Sequence, residues 1–87
     1  MEIQHKFKKA EIKFGYMWWE MAENSKYEEI FPSYSFDLNV NGTVLHFRRV
    51  DWERYRIWLG VGLLKKYFKD NQVVTIGRKG NQIYIRS

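Results

Sequence analysis

The run RIWLGVGLLKKYFK, Arg56 to Lys69, decides how the chain is read. Its apolar residues recur at helical spacing, and Asp51 upstream is a suitable N-cap. Asp70-Asn71 makes a stop, with Lys65, Lys66 and Lys69 suited to the negative end of a helix dipole. The pattern therefore predicts one long helix over about 51–69. Two glycines inside it, Gly60 and Gly62, would each cost about 1 kcal/mol relative to alanine. At ~100° per residue, Trp52, Ile57, Leu59, Gly60, Val61, Leu63, Leu64, Tyr67 and Phe68 share one broad side. Gly60 then reads as a packing residue that lets the helix approach a sheet. Gly62 falls on the opposite side with Arg54, Tyr55, Trp58, Lys65, Lys66 and Lys69. Bare backbone among bases and rings suits close approach of a phosphate chain or a partner. A bend or frayed turn at the glycines is the structural counterpart of that reading.

Hairpins flank this run. In YSFDLNVNGTVLHFRRV, Tyr34 to Val50, the Asn41-Gly42 pair between alternating segments marks a two-residue type I′ turn. That turn pairs Val40 with Thr43, Leu38 with Leu45, Phe36 with Phe47 and Tyr34 with Arg49, which puts the apolar residues on one face. A second hairpin, Val73 to Arg86, with Lys79-Gly80 at its tip pairs Ile76 with Ile83 and Val74 with Ile85. A four-residue loop, 78–81, gives the same faces. Upstream, Ala10, Ile12, Phe14, Tyr16 and Trp18 alternate with Glu11, Lys13, Gly15, Met17 and Trp19, which predicts a strand. Ile3, His5 and Phe7 have the opposite parity, and a bulge near Lys8-Lys9 would reconcile them. The acidic stretch 22–33 reads as a loop, or as a hairpin returning through Tyr27. The expected fold is a single α+β domain over 1–87, with an antiparallel sheet of about five strands packed on one long helix.

The totals narrow the function. A chain of 87 residues buries only about 60–65% of its unfolded surface, so four Trp, six Tyr and six Phe must make a dense core. Without Cys there is no disulfide framework and no thiolate metal site. No run approaches the ~18 apolar residues of a membrane span, and MEIQHKFKKAEIKF does not read as a signal peptide. The cytoplasm, or a host cell's cytoplasm for a viral gene, is the expected location. The net charge of +5 is uneven. Residues 1–37 carry −2, and residues 38–87, with ten bases against Asp51, Glu53 and Asp70, carry +7. Such a basic half favours anionic partners, nucleic acid foremost.

Three basic surfaces are candidates: the helix face already described, the outer sheet face, and the tip Arg78-Lys79 as a basic wing. On the sheet, Arg48, His46, Asn39, Tyr84 and Arg86 form a platform with one stacking ring. A different surface is suggested by YMWWEM, Tyr16 to Met21. With Tyr16 and Trp18 inward, Met17, Trp19 and Met21 point outward and would suit a homodimer or protein contact. Asp37 and His46 face each other across the first hairpin, but no nucleophile accompanies them, so no enzyme is expected. Two His and scattered acids offer no metal site, no strand is followed by a Gly-rich phosphate loop, and no cofactor is expected.

The run FDLNVNGTVLHF, then a helix, then TIGRKGNQIYI resembles the hairpin–helix–hairpin order of the double-wing DNA-binding domain of phage middle-promoter activators. The hairpin followed by VDWERYRIWL also resembles strand-then-helix single-strand DNA binders of the Whirly kind. Both resemblances imply DNA binding. The sequence expectation is thus a small basic nucleic-acid-binding protein, DNA ahead of RNA, of viral or mobile-element regulator type. The alternative is a protein-interaction module or inhibitor of a host factor, acting through Met17, Trp19 and Met21.

Overall fold

A computed structural model describes all residues, 1–87. In chain order the elements are β1 (Glu2–Lys6), α1 (Lys9–Phe14), β2 (Tyr16–Trp18), a 3-10 turn (Met21–Glu23), α2 (Asn24–Glu28), β3 (Phe36–Val40), β4 (Thr43–Arg48), β5 (Val50–Asp51), β6 (Arg56–Trp58), α3 (Val61–Tyr67), β7 (Val73–Lys79) and β8 (Gln82–Arg86). The larger sheet has the order β1-β7-β8-β3-β4, and a small one has the order β2-β6-β5. Every pairing is antiparallel except β3 with β8, which is parallel. The core lies on one face of the five-stranded sheet, where Leu38, Val40, Val74, Ile76, Ile83 and Ile85 meet Phe7, Met17, Phe31, Ile57, Leu59 and Leu64. The other face of that sheet is open to solvent.

The expected long helix over 51–69 is not formed. The chain is mostly sheet, 41% strand against 24% helical, with three short helices. Val50-Asp51 and Arg56-Ile57 instead pair as a small hairpin around a turn in which Tyr55 takes φ +54°. Arg56, Ile57 and Trp58 then pair with Trp18, Met17 and Tyr16. The alternation that decides for a strand is Ile57 and Leu59 buried, with Trp58 turned out. Gly60 ends this strand at φ +105°, a conformation L side chains rarely adopt, and serves as the N-cap of α3. The first glycine is therefore a breaker between strand and helix. Two glycine penalties weaken the helical alternative, while the strand buries Ile57 and Leu59 and gains a ladder. The N–H groups of Leu59 and Gly60 both donate to the Gly15 carbonyl, at 2.8 and 2.9 Å.

The N-terminal expectation is also corrected. Where a continuous strand with a bulge was expected, Lys9–Phe14 form helix α1. Glu11 reaches back to accept the Lys8 N–H at 2.8 Å, one half of a capping box. Gly15 closes the helix at φ +79°, its N–H donating to the Glu11 carbonyl. This helical turn reverses the side-chain parity of the strand after it. Met17 is 0% and Trp19 7% exposed, both in the core, and only Met21 remains on the surface. The 22–33 stretch holds the 3-10 turn and α2, not a returning strand.

The first hairpin keeps the expected turn: Asn41 and Gly42 have φ +49° and +92°. Val40 pairs with Thr43 and Leu38 with Leu45, as the register requires. Beyond that point a bulge intervenes, so Phe36 pairs with Arg48 rather than Phe47. Phe47 takes φ +56° and stands 83% exposed. The Tyr34–Arg49 pairing is lost as well, since β3 begins at Phe36. In the second hairpin the tip moves to Gly80-Asn81, and Ile76 pairs with Ile85. A two-residue shift leaves the faces unchanged, because strand side chains repeat every two residues.

Candidate nucleic-acid interface

Helices α1 and α3 pack against each other, and a groove of about 470 Å³ runs where they meet. It is lined by Lys9, Ile12, Lys13, Lys65, Phe68, Lys69 and Asp70. On α1, Lys9 and Lys13 are four residues apart and so share a face. On the other wall, Lys65 belongs to α3, and Lys69 follows the helix after Phe68 turns to an extended conformation. None of these four ammonium groups lies within 4.0 Å of a carboxylate; Lys26 is the one lysine in an ion pair. Asp70 is the single acid along the groove.

Aromatic rings border the C-terminal end of α1. Phe14, its last residue, is 56% exposed, and the Lys13 ammonium sits 5.5 Å from its ring centre. Trp58, 44% exposed, stands edge-on to Tyr16 with 5.1 Å between ring centres. Its ring also lies over Gly15: a Cβ there would come within 2.8 Å of both Trp58 and the Val61 backbone nitrogen. The Arg56 guanidinium caps the opposite ring of this group, 4.3 Å from the Tyr16 centre.

The expected site residues are thereby sorted. Lys65 and Lys69 come together in the groove, with Gly62 exposed in the first turn of the same helix. Nothing lies within 4 Å of a Cβ at Gly62, so packing does not require a glycine there. Trp58 joins through β6, not through a helix face. Lys66 turns toward the Tyr67 ring, 5.2 Å away. Arg54 sits in the β5–β6 turn and pairs with Asp51 at 3.2 Å; its partner's carboxyl is accordingly held below the usual range, by Arg54 against the opposing effect of desolvation. Arg48 leaves the outer platform because the bulge at Phe47 reverses its side, and its Nε is buried without a partner. Arg78 is no free wing. Its Nε donates to the Gly80 carbonyl at 3.0 Å and its Nη1 to the Ile30 carbonyl at 3.5 Å, which leaves Lys79 alone at the tip.

The open sheet face carries the largest hollow, about 550 Å³, lined among others by Asp37, Asn39, Tyr84 and Arg86. Its charges are already matched. Arg86 donates to Glu2 at 2.9 Å, and Tyr84 donates to the same carboxylate. That hydrogen bond from Tyr84, then the one from Arg86, hold the Glu2 carboxyl below its ordinary value, and Glu2 in turn raises the Tyr84 hydroxyl and Arg86. Asp37 and His46 lie 3.2 Å apart across the first hairpin, the juxtaposition that the sequence predicts. A polyanion finds less unsatisfied positive charge here than between α1 and α3, although the hollow is larger.

One polar cluster escaped the sequence altogether. Glu11 is 0% exposed and accepts from the Lys8 N–H, from the Trp18 N–H at 3.0 Å and from His5 Nε2 at 2.7 Å. The other ring nitrogen of His5, Nδ1, hydrogen-bonds with the Tyr27 hydroxyl 2.8 Å away. Burial, followed by the charge of Glu11, pushes the Tyr27 hydroxyl up, so it stays a donor. The cluster ties α1 to β1 and α2. No group of three His, Asp or Glu side chains converges to hold a metal, and no helix is long and apolar enough to cross a membrane.

Comparison with known proteins finds no match: no family model, no curated protein and no solved structure resembles the chain closely enough to count.

Proposed function

We propose that the protein binds nucleic acid, DNA ahead of RNA, through the groove between α1 and α3. The observation that carries this reading is the set of four unpaired lysines, Lys9, Lys13, Lys65 and Lys69, facing one another with Asp70 as the only acid. Ammonium groups act on phosphates as point charges and release condensed counterions when they bind. Apart from Asp70 the groove lining offers no side-chain acceptor for the proton of a ribose 2′-hydroxyl. That is the support for DNA. A cytoplasmic location, the host's for a viral gene, belongs to the same proposal.

The alternative, a homodimer or protein-interaction module, rested on Met17, Trp19 and Met21. Two of those three side chains are in the core. Another surface would have to carry it, such as the edge strand β4 with exposed Val44 and Phe47.

The test is fluorescence anisotropy with labelled oligo-dT and oligo-U across a salt series. Four phosphate contacts correspond to about a 50–150-fold loss of affinity between 50 and 200 mM salt. Each of Lys9→Ala, Lys13→Ala, Lys65→Ala and Lys69→Ala should lower the slope by about 0.7–0.9. Unchanged binding by all four variants would remove the groove as the site, and tighter binding of oligo-U would overturn the preference for DNA.

A further inference from the structure

We infer that the groove takes single-stranded rather than duplex nucleic acid, with Phe14 and Trp58 as the base-stacking platforms. This rests on the nucleic-acid reading of the α1–α3 groove and goes beyond it by naming the strand state. The four lysines are exposed along an open groove between two short helices, six and seven residues long. Neither is a projecting element that could lie along a major groove about 12 Å wide, and the Arg78 tip is tied back to Ile30. A flexible strand can enter such a concavity.

The rings supply what unpaired bases need. Phe14 directly follows Lys13 and its ring is next to that ammonium, so a phosphate and its own base can be met by neighbouring residues. Trp58 is prearranged: Tyr16 braces it, and Gly15 leaves the only room for its ring at the end of α1. Its indole N–H has no protein acceptor, and nearly half of its surface is free. Ile12 and Phe68 give the groove between them an apolar floor. In a duplex the base faces are stacked on each other, so exposed rings beside a cation groove gain nothing from it. With single strands each stacked base contributes to affinity whatever its identity.

The experiment compares Phe14→Leu and Trp58→Leu with wild type on oligo-dT and on a blunt duplex of equal length, at several salt concentrations. Leucine keeps apolar bulk over Gly15 and a good helix former at the end of α1, and thermal melting verifies the fold. Each variant should lose about 5- to 150-fold in affinity for oligo-dT. The salt slope should not change, because no phosphate contact is removed, and the wild type should prefer oligo-dT over duplex. Variants that bind oligo-dT as wild type does, or that weaken on both ligands alike, overturn the stacking role. Lysine variants that lose salt-dependent binding while both leucine variants keep it would leave the groove reading standing and sink this one. A protein that binds neither oligomer overturns both.

Discussion

Glu11→Ala is the substitution on which the sequence pattern and the folded chain disagree most. As an outward residue of a strand, Glu11 would tolerate alanine within about 0.5 kcal/mol. In the fold its carboxylate is fully buried and satisfies the Trp18 N–H, the Lys8 N–H and His5 Nε2. Removing it strands two buried groups, Trp18 N–H and His5, at about 1–3 kcal/mol each. Loss of the reach-back to Lys8 adds roughly 1 kcal/mol of helix capping. The expected destabilisation is about 3–7 kcal/mol, against a total of about 4–13 kcal/mol for a domain of this size. Glu11→Gln keeps the shape and one acceptor oxygen, but its amide must confront a backbone N–H donor, so about 1–3 kcal/mol should be lost. Urea denaturation followed by circular dichroism measures both. With a slope of about 1–3 kcal/mol/M, the alanine midpoint should fall by roughly 1 M or more, with glutamine between alanine and wild type. An alanine midpoint within about 0.3 M of wild type would show that the cluster contributes little and that the account of α1 is wrong.

The glycines give an ordered series in thermal melts. Gly62→Ala should stabilise by up to about 1 kcal/mol, since a Cβ there meets nothing. Gly60→Ala, at φ +105°, should cost about 1–3 kcal/mol from backbone strain alone. Gly15→Ala should cost more than Gly60→Ala, because strain is joined by contact with Trp58 and the Val61 nitrogen; a neutral Gly15→Ala would contradict that packing. Leu38→Ala should cost about 2–5 kcal/mol and Leu45→Ala distinctly less, since only Leu38 is fully buried; equal losses would argue against the sheet as described. The Glu2 carboxyl should titrate in NMR below its ordinary 4.5, and Tyr84→Phe should move it back up. Because the folded value is depressed, the anchoring of β1 by Glu2 is present at neutral pH and is lost as pH falls through that value. A wild-type midpoint at or above 4.5 would mean that the Glu2–Tyr84–Arg86 cluster does not form in solution.

What the sequence determined by itself was set by chemistry within about ten residues. Asn41-Gly42 specifies its turn because both positions need positive φ, and the first two pairs on either side are fixed with it. Period-two alternation places Val74, Ile76, Ile83 and Ile85 on the core side even though the tip lies one residue, and the pairing register two, from where the sequence put them. The uneven charge, and Lys65 and Lys69 as exposed bases beside each other, were legible in the same way. Their company was not. Lys9, Lys13 and Phe14 reach that surface only because 9–14 is a helix, signalled by Glu11 at the third helical position and Gly15 after the last. Arg48, Arg54, Arg78 and Arg86 count as bases in any tally, but Arg54 pairs locally with Asp51, and tertiary neighbours bury the Arg48 Nε and tie Arg78 and Arg86 to the Ile30 carbonyl and Glu2. Tertiary structure alone decided strand against helix over 51–60. Local preferences there differ by about 1 kcal/mol per glycine, whereas burying Ile57 and Leu59 is worth about 1.5–3 kcal/mol each. That burial depends on β2, some forty residues earlier in the chain, offering an unpaired edge and the Gly15 carbonyl to Leu59 and Gly60.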